Sequence, residues 1–307
     1  MIEKISDFFP ENQRNVWYKW DTRINQIREI RIRVNQNIQV VTDKENILEI
    51  VYSAKEIDEF FRYICHDSIY AFEEERKQGY IMLEGGHRIG VTGELSVAED
   101  GRYMVNAARY INIRIAHEIK GIGEKVIKYI CDGNGLALNT LIISSPGIGK
   151  TTLLRDLVRI ISDGNVITKG VNTGLVDERG EIAGAYRGIA TLDCGKRTDI
   201  ITGGGKALGI DILVRAFSPK IIAVDEIGKM EDAEAMFRAG VSGCRIIATI
   251  HGNTFGDILA KIEMRDIIKM NIFNRFIQLY YDEKNNRCAN VLDMKGSMIC
   301  GHILLQA

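Results

Sequence analysis

The sequence predicts a two-domain α/β protein: an N-terminal α+β domain over residues 1–120, then a domain over 121–307 built on a mostly parallel sheet. Three observations lead there. From about residue 138 onward short apolar runs alternate with helical patterns, the signature of βαβ units. Ahead of that point the strand patterns have period two, with polar or basic residues opposite isoleucines, and they surround one capped helix. A chain of 307 residues with 46% hydrophobic and 26% charged content is also long enough to bury two cores.

In the first domain Ile30, Ile32 and Val34 alternate with Arg31 and Arg33, so one strand face is apolar and the other basic. Ser53 with Glu56 three residues on is a capping-box pair, and Ile57, Phe60, Phe61 and Ile64 then recur on one helical face. Residues 80–83 and 88–91 flank Glu84, Gly85, Gly86 and His87, a glycine-containing hairpin connection. A further strand over 111–115 sets Asn112 and Arg114 opposite its isoleucines. The boundary falls near residues 116–122, where the segment AHEIKGIG leads into a new helical pattern.

In the second domain the strand-like runs are 141–143, a weaker 173–176, 221–224 and 246–250. Leu153, Leu154, Leu157, Val158 and Ile161 form one helix stripe, and Ala233, Met236, Phe237, Gly240 and Val241 another. The end of the chain reads as a hairpin, 276–281 and 289–294 about the polar turn 282–287, and Gly203, Gly204 and Gly205 mark a mobile loop.

Composition excludes several classes. No run approaches the roughly 18 apolar residues of a membrane span, and MIEKISDFFPENQ has neither the basic start nor the apolar core of a signal peptide. The expectation is a cytosolic protein. Cys65, Cys131, Cys194, Cys244, Cys288 and Cys300 show no CxxC spacing and no close Cys/His pairing, which argues against a zinc site and for buried thiols. With 40 basic and 41 acidic residues the formal net charge is -1, without the global footprint of a nucleic-acid binder.

The stretch LIISSPGIGKTTLLRDL joins an apolar strand to a glycine turn and an amphipathic helix. Such a junction aims backbone N–H groups, backed by the positive end of the helix dipole, at one spot that attracts phosphate. Ser145, Pro146, Gly147, Ile148, Gly149, Lys150, Thr151 and Thr152 would cradle it, with Lys150 reaching the β and γ phosphates and Thr151 offering its hydroxyl to Mg²⁺. Ser144 stands where the general loop pattern has its first glycine, so the geometry of the loop's entry is open.

A second strand, KIIAVDE, ends in two carboxylates. In a parallel sheet ligands bind beyond the carboxyl ends of the strands, which would set Asp225 toward Mg²⁺ and Glu226 toward the attacking water. The plainer alternative is a solvated loop with Glu226 near the cap of the next helix. Two other strand ends, LVDER and ATIHG, bring Asp177, Glu178, Thr249 and His251 to the same edge, His251 as a reader of the γ phosphate. Against that stand a capped loop histidine and surface pairing of Asp177 and Glu178 with Arg179. Arg31, Arg33, Arg88 and Arg114 fit ion-paired strand faces, or one of them an arginine finger across a domain or subunit seam.

The combination SSPGIGKTTLLRDL, VDERGEIAG, SPKIIAVDEIG and ATIHG, in that order, resembles the stage III sporulation protein AA family of the secretion-type ATPases, and EIRIRV, GGHRIGVTGE and INIRIA extend the resemblance over most of the chain. It implies a RecA-like P-loop ATPase domain with Walker A from Ser144 to Thr151, an acidic box at Asp177, Glu178 and Arg179, Walker B at Asp225 and Glu226, and a histidine box at Thr249 and His251. Glu226, Lys150, His251 and Glu178 would be catalytic, Arg88 and Arg114 would join the nucleotide site, and Thr151 and Asp225 would hold the metal. The implied cofactors are ATP and Mg²⁺. The implied setting is a homo-oligomer, a hexamer in this family, on the mother-cell face of the membrane around the forespore, energising a secretion-like channel during endospore formation.

Three function classes follow: an ATP-hydrolysing motor, a RecA-like nucleic-acid motor, and a nucleotide-gated scaffold that barely turns over. The charge of -1 and the lack of aromatics interleaved with basic residues count against the second, and Glu226 against the third.

Overall fold

The computed structural model describes residues 4–65, 80–97, 103–186, 188–260 and 262–306. They form two compact units, Met1–His117 with Gly184–Arg187, and Glu118–Ala183 with Gly188–Ala307.

In the first unit β1 (Glu29–Arg33) is central, because its alternation buries Ile30 and Ile32 completely and leaves the arginine face half-exposed. It pairs antiparallel with β2 (Asn37–Val41) on one side and β6 (Tyr103–Arg114) on the other. With β3 (Glu45–Val51), β4 (Tyr80–Met82) and β5 (Arg88–Val97) the sheet order is β3-β2-β1-β6-β5-β4. Neither β2 nor β3 is among the strands expected from the sequence. Their connection carries no glycine signal, and β3 has Ile47 and Val51 at least half exposed, so its pattern is not that of a buried strand.

After a short α1 (Tyr18–Asp21), α2 (Ala54–Ile64) starts at the expected capping box: the Glu56 N–H donates to Ser53 Oγ at 3.3 Å and the Ser53 N–H to Glu56 Oε2 at 2.8 Å. Its Ile57, Phe60, Phe61 and Ile64 all enter the core, where Phe9 stacks on Trp17 with ring centroids 4.4 Å apart. Trp17 is fully buried and its indole N–H donates to Tyr52 Oη at 2.9 Å, which satisfies the one polar atom that burial would strand.

In the second unit α3 (Ile127–Ile130) precedes an eight-stranded sheet of order β14-β13-β12-β7-β11-β10-β8-β9. Its strands are β7 (Thr140–Ser144), β8 (Thr173–Asp177), β9 (Thr198–Thr202), β10 (Ile221–Val224), β11 (Arg245–His251), β12 (Arg275–Tyr281), β13 (Arg287–Asp293) and β14 (Met298–Leu304). The run from β12 to β9 is parallel; β13 and β14 return antiparallel. Every residue of β7, β8 and β10 is buried, as a parallel sheet covered on both faces requires. The expected terminal hairpin is β12–β13, but a third strand, β14, follows it; its sequence is rich in apolar residues, yet Met298, Ile299 and Leu304 are exposed.

α4 (Lys150–Asp163) packs against β7, β8, β9 and β11, and its expected stripe, Leu153 to Ile161, is fully buried. Removing one such side chain, as in Leu154→Ala, costs about 2–5 kcal/mol. The glycine triplet links β9 to α5 (Lys206–Phe217), with φ of 73°, 74° and 82° and Gly205 at the helix N-cap. In α6 (Met230–Val241) the stripe is Ala233, Met236 and Ala239; Phe237 and Val241, expected on it, are 48% and 75% exposed. α7 (Phe255–Ala260) and α8 (Ile262–Lys269) complete the unit. All six cysteines are free, four of them buried and Cys131 and Cys300 partly exposed.

Candidate functional site

The parallel strands β7, β8, β10 and β11 run side by side in register, Ser144 opposite His251 and Val224 opposite both Ala248 and Val176, so their carboxyl ends share one edge. After Ser144 the chain turns through Gly147 and Gly149 with φ of 80° and 109°, values that only glycine adopts readily, and enters α4 at Lys150. Ser144 itself is a buried strand residue whose hydroxyl donates to the Ser145 carbonyl at 2.8 Å, and it is not among the residues with positive φ. A serine therefore serves at the loop's entry.

No side chain caps α4 and its first turn has no acidic residue. The N–H groups of Gly147, Gly149, Lys150, Thr151 and Thr152 have no acceptor among the described residues, which leaves a donor set for an anion. Pro146 and Gly147 are exposed at its rim, and Ser145 Oγ is hydrogen-bonded to Asn253 Oδ1.

Lys150 is only 7% exposed, and its Nζ lies 3.3 Å from both ring nitrogens of His251. Burial lowers its pKa, while Asp225, Glu226 and Glu181 pull it back up. Asp225 is held between two hydroxyls: Thr249 Oγ1 donates to Oδ1 at 2.6 Å, and Thr151 Oγ1 lies 3.5 Å from Oδ2. Burial raises the Asp225 pKa, the Thr249 hydrogen bond and Lys150 lower it, and Glu181 and Glu226 raise it again. Glu226 sits at φ 48°, a left-handed backbone worth of order 1–3 kcal/mol of strain in a residue other than glycine, with its N–H donated to Thr249 Oγ1 at 2.8 Å. Its Oε1 is 2.9 Å from His251 Nε2. The fold thus gathers Lys150, Thr151, Asp225, Glu226, Thr249 and His251.

The acidic box divides. Asp177 is buried and accepts from the backbone N–H groups of Glu181, Ile182 and Ala183 at 2.9, 3.0 and 2.9 Å, so it caps a turn and forms no surface pair with Arg179. Burial pushes its pKa up to about 6, with the Ala183 and Ile182 bonds opposing. Glu178 pairs with Lys206, whose hydrogen bond lowers its pKa, instead of with Arg179. Glu181, missed in the sequence because nothing in its spacing marks it, is the acid there that acts on Lys150 and Asp225.

Arg88 and Arg114 lie in the first unit, opposite one another on β5 and β6. Arg114 Nε is 3.2 Å from Glu29 Oε1, Arg31 holds Glu29 Oε2 at 2.7 Å, and the Arg88 guanidinium lies 4.1 Å from the centroid of the Tyr80 ring. His87 is a core residue: it is 4% exposed, accepts from the Ala116 N–H at 3.1 Å and meets Phe8 edge-on. Folding also brings together a trio that spacing could not show. The ligand atoms of Asp282, Cys288 and His302 lie within 4.8 Å of one another, although Asp282 already caps its hairpin turn through the Lys284 and Asn286 N–H groups.

Two solved structures share this architecture. The X-ray structure of the Legionella pneumophila ATPase DotB matches with a TM-score of 0.58 at 17% identity, over 89% of this chain and 78% of that one. The pilus retraction motor PilT with bound ADP matches with a TM-score of 0.58 at 12% identity, over 90% and 80%. The fold is that of the DotB- and PilT-like ATPases. Sporulation stage III, protein AA, is the family whose pattern matches residues 2–299, and Stage III sporulation protein AA of Bacillus subtilis (strain 168) is 33% identical over 300 residues, 97% of each chain. The chain belongs to the stage III sporulation protein AA family. A partial relative, Protein SEEDLING PLASTID DEVELOPMENT 1 of Arabidopsis thaliana, is 28% identical over 165 residues, 52% of this chain and 22% of that protein. Among the described residues no helix is long and apolar enough to cross a membrane.

Proposed function

We propose that this chain is an ATP-hydrolysing motor of the secretion type, with its ATPase domain over residues 121–307. The observation that carries the reading is the set of Lys150, Thr151, Asp225, Glu226 and His251 around one free-donor loop at the ends of adjacent strands. Lys150 and the N–H groups of the loop would hold phosphate oxygens, and Glu226 would take the proton from an attacking water. The donor set also suits Mg²⁺: a hydroxyl and a carboxylate of Thr151 and Asp225 meet there, and Glu181 and Glu226 disfavour the Asp225 charge in a way a cation would relieve. Bound there, the ion would neutralise phosphate charge and orient the ligand.

In this reading the protein works as a homo-oligomer, a ring of six, at the cytoplasmic side of the mother-cell membrane facing the forespore. Its hydrolysis drives motion between its domains that energises a membrane-embedded channel. Arg88 or Arg114 of residues 1–120 completes the site at a seam. The test is steady-state phosphate release by the purified chain, alone and with single-stranded DNA, beside Lys150→Ala. Release that depends on Lys150 and ignores DNA supports the motor. Stimulation by DNA makes it a nucleic-acid motor, and ATP binding without release makes it a scaffold.

A further inference from the structure

β12 is parallel to β7, so its carboxyl end, Tyr281, arrives at the same sheet edge as the phosphate-type loop, and the antiparallel partner β13 begins there at Arg287, opposite Tyr281. The Arg287 side chain reaches across to the loop. A Cβ built on Gly149 would lie 3.0 Å from its Cζ, 3.1 Å from one terminal nitrogen and 3.3 Å from Nε, so the guanidinium rests on the glycine that starts α4. It forms no hydrogen bond or ion pair through its side chain with any described residue, and its Nε is buried without a partner. A partly buried, unpaired guanidinium, its Nε cut off from solvent, against uncapped backbone N–H groups adds positive charge to positive charge, an arrangement that costs stability until an anion arrives.

The sheet order says which part of the anion. β7 feeds the loop; β11 and β10, with His251, Asp225 and Glu226, lie on one side of it, while β12 and β13, with Arg287, lie on the other. Resting on the ATPase reading, in which Glu226 and His251 face the γ phosphate, we infer that Arg287 binds the opposite end of the polyphosphate, the oxygens nearest the nucleoside. This makes it a binding residue for both ATP and ADP and not a sensor of hydrolysis. The sequence gives no hint of it, since Arg287 lies in a polar hairpin turn far from every motif.

Equilibrium titration of parent, Arg287→Gln, Arg287→Lys and Lys150→Ala with Mg-ATP and Mg-ADP, each variant checked by circular dichroism and thermal unfolding, tests the assignment. Loss of a charge-assisted hydrogen bond predicts roughly ten- to hundredfold weaker binding of both nucleotides to Arg287→Gln, by an equal factor. Arg287→Lys should recover part of the loss, and kcat at saturating ATP should stay near the parent value while KM rises. A folded Arg287→Gln with parental ADP affinity overturns the inference, as does a loss confined to ATP, which would put Arg287 at the γ end. If the parent itself binds neither nucleotide, the ATPase reading fails first. Should Arg287→Gln not fold, Arg287→Lys decides alone: unchanged affinity for both nucleotides at tenfold different salt overturns it, and a salt-dependent loss supports it.

Discussion

His251 Nε2 and Glu226 Oε1 stand 2.9 Å apart, a hydrogen bond between the ends of β11 and β10 that requires the proton on Nε2 and leaves the Lys150 ammonium 3.3 Å from the same ring. The carboxylate proposed to activate water is therefore already engaged by the side chain proposed to read the γ phosphate. Replacing Glu226 by Gln keeps the size and removes the proton acceptor, so turnover should fall by roughly 10² to 10⁴ with nucleotide binding preserved. His251→Ala should also leave equilibrium ATP binding nearly intact while weakening hydrolysis. Normal turnover in both variants would remove the pair from the reaction.

Thr249 is the joint of the site, because its one hydroxyl both donates to Asp225 and accepts from the Glu226 backbone. Thr249→Val conserves shape, strands the Glu226 N–H and removes a bond that lowers the Asp225 pKa. The expected cost is about 1–3 kcal/mol in unfolding free energy, together with lower activity. Parental stability and turnover in the valine variant would show that the link is incidental.

Asp177 supplies a pH signature. Its folded-state pKa of about 6 lies above the ordinary 3.8, so the folded protein binds the proton more tightly than the unfolded chain. The resulting contribution to stability is fully present below about pH 4 and is lost as the pH rises through 6. Asp177→Asn cannot titrate, and its amide turns at least one N–H toward the backbone N–H groups of residues 181–183. Its unfolding free energy should be about 1–3 kcal/mol lower, and the gap to the parent should narrow as the pH is raised from 4 to 7. Curves that stay parallel over that range would dismiss the shift.

Assembly tests the arginines. Arg31 and Arg114 divide the two oxygens of Glu29, while Arg88 lies over Tyr80 just beyond the Gly85–Gly86 turn, whose φ of 90° and 75° let it approach a neighbour closely. If one of them crosses a seam, its alanine variant should lose a large part of the roughly 10³ to 10⁵ that an arginine finger contributes. The expected order is Arg88, then Arg114, then Arg31. Light scattering with and without a non-hydrolysable ATP analogue, beside phosphate release, reads both ring and rate. A monomer hydrolysing at full rate would leave no seam to complete.

The central strands, the loop at Gly147–Lys150 and the cap at Ser53 were legible in the sequence for a local reason. A strand buried on both faces must be apolar throughout, a left-handed turn calls for glycine, and a capping box needs only residues three apart. The family resemblance rests on the loop and the strand ends, SSPGIGKTTLLRDL, VDERGEIAG, SPKIIAVDEIG and ATIHG, with EIRIRV, GGHRIGVTGE and INIRIA extending it. Elements that are half-exposed gave no such signal: β2, β3 and β9 carry mixed patterns, while β14 is apolar in sequence but exposed, and Phe237 and Val241 share a helical stripe on paper but face solvent. Relations between distant residues were also out of reach. That Asp177 is buried as a turn cap, that Glu181 presses on Asp225, that one threonine joins Asp225 to Glu226, and that Arg287 lies on Gly149 all depend on which strands become neighbours. Sequence determined the chemistry that each strand end carries, through local preference and burial; only the packing of the sheet decided which of those groups meet, because hydrogen bonds and desolvation act over a few ångströms of space and are blind to separation along the chain.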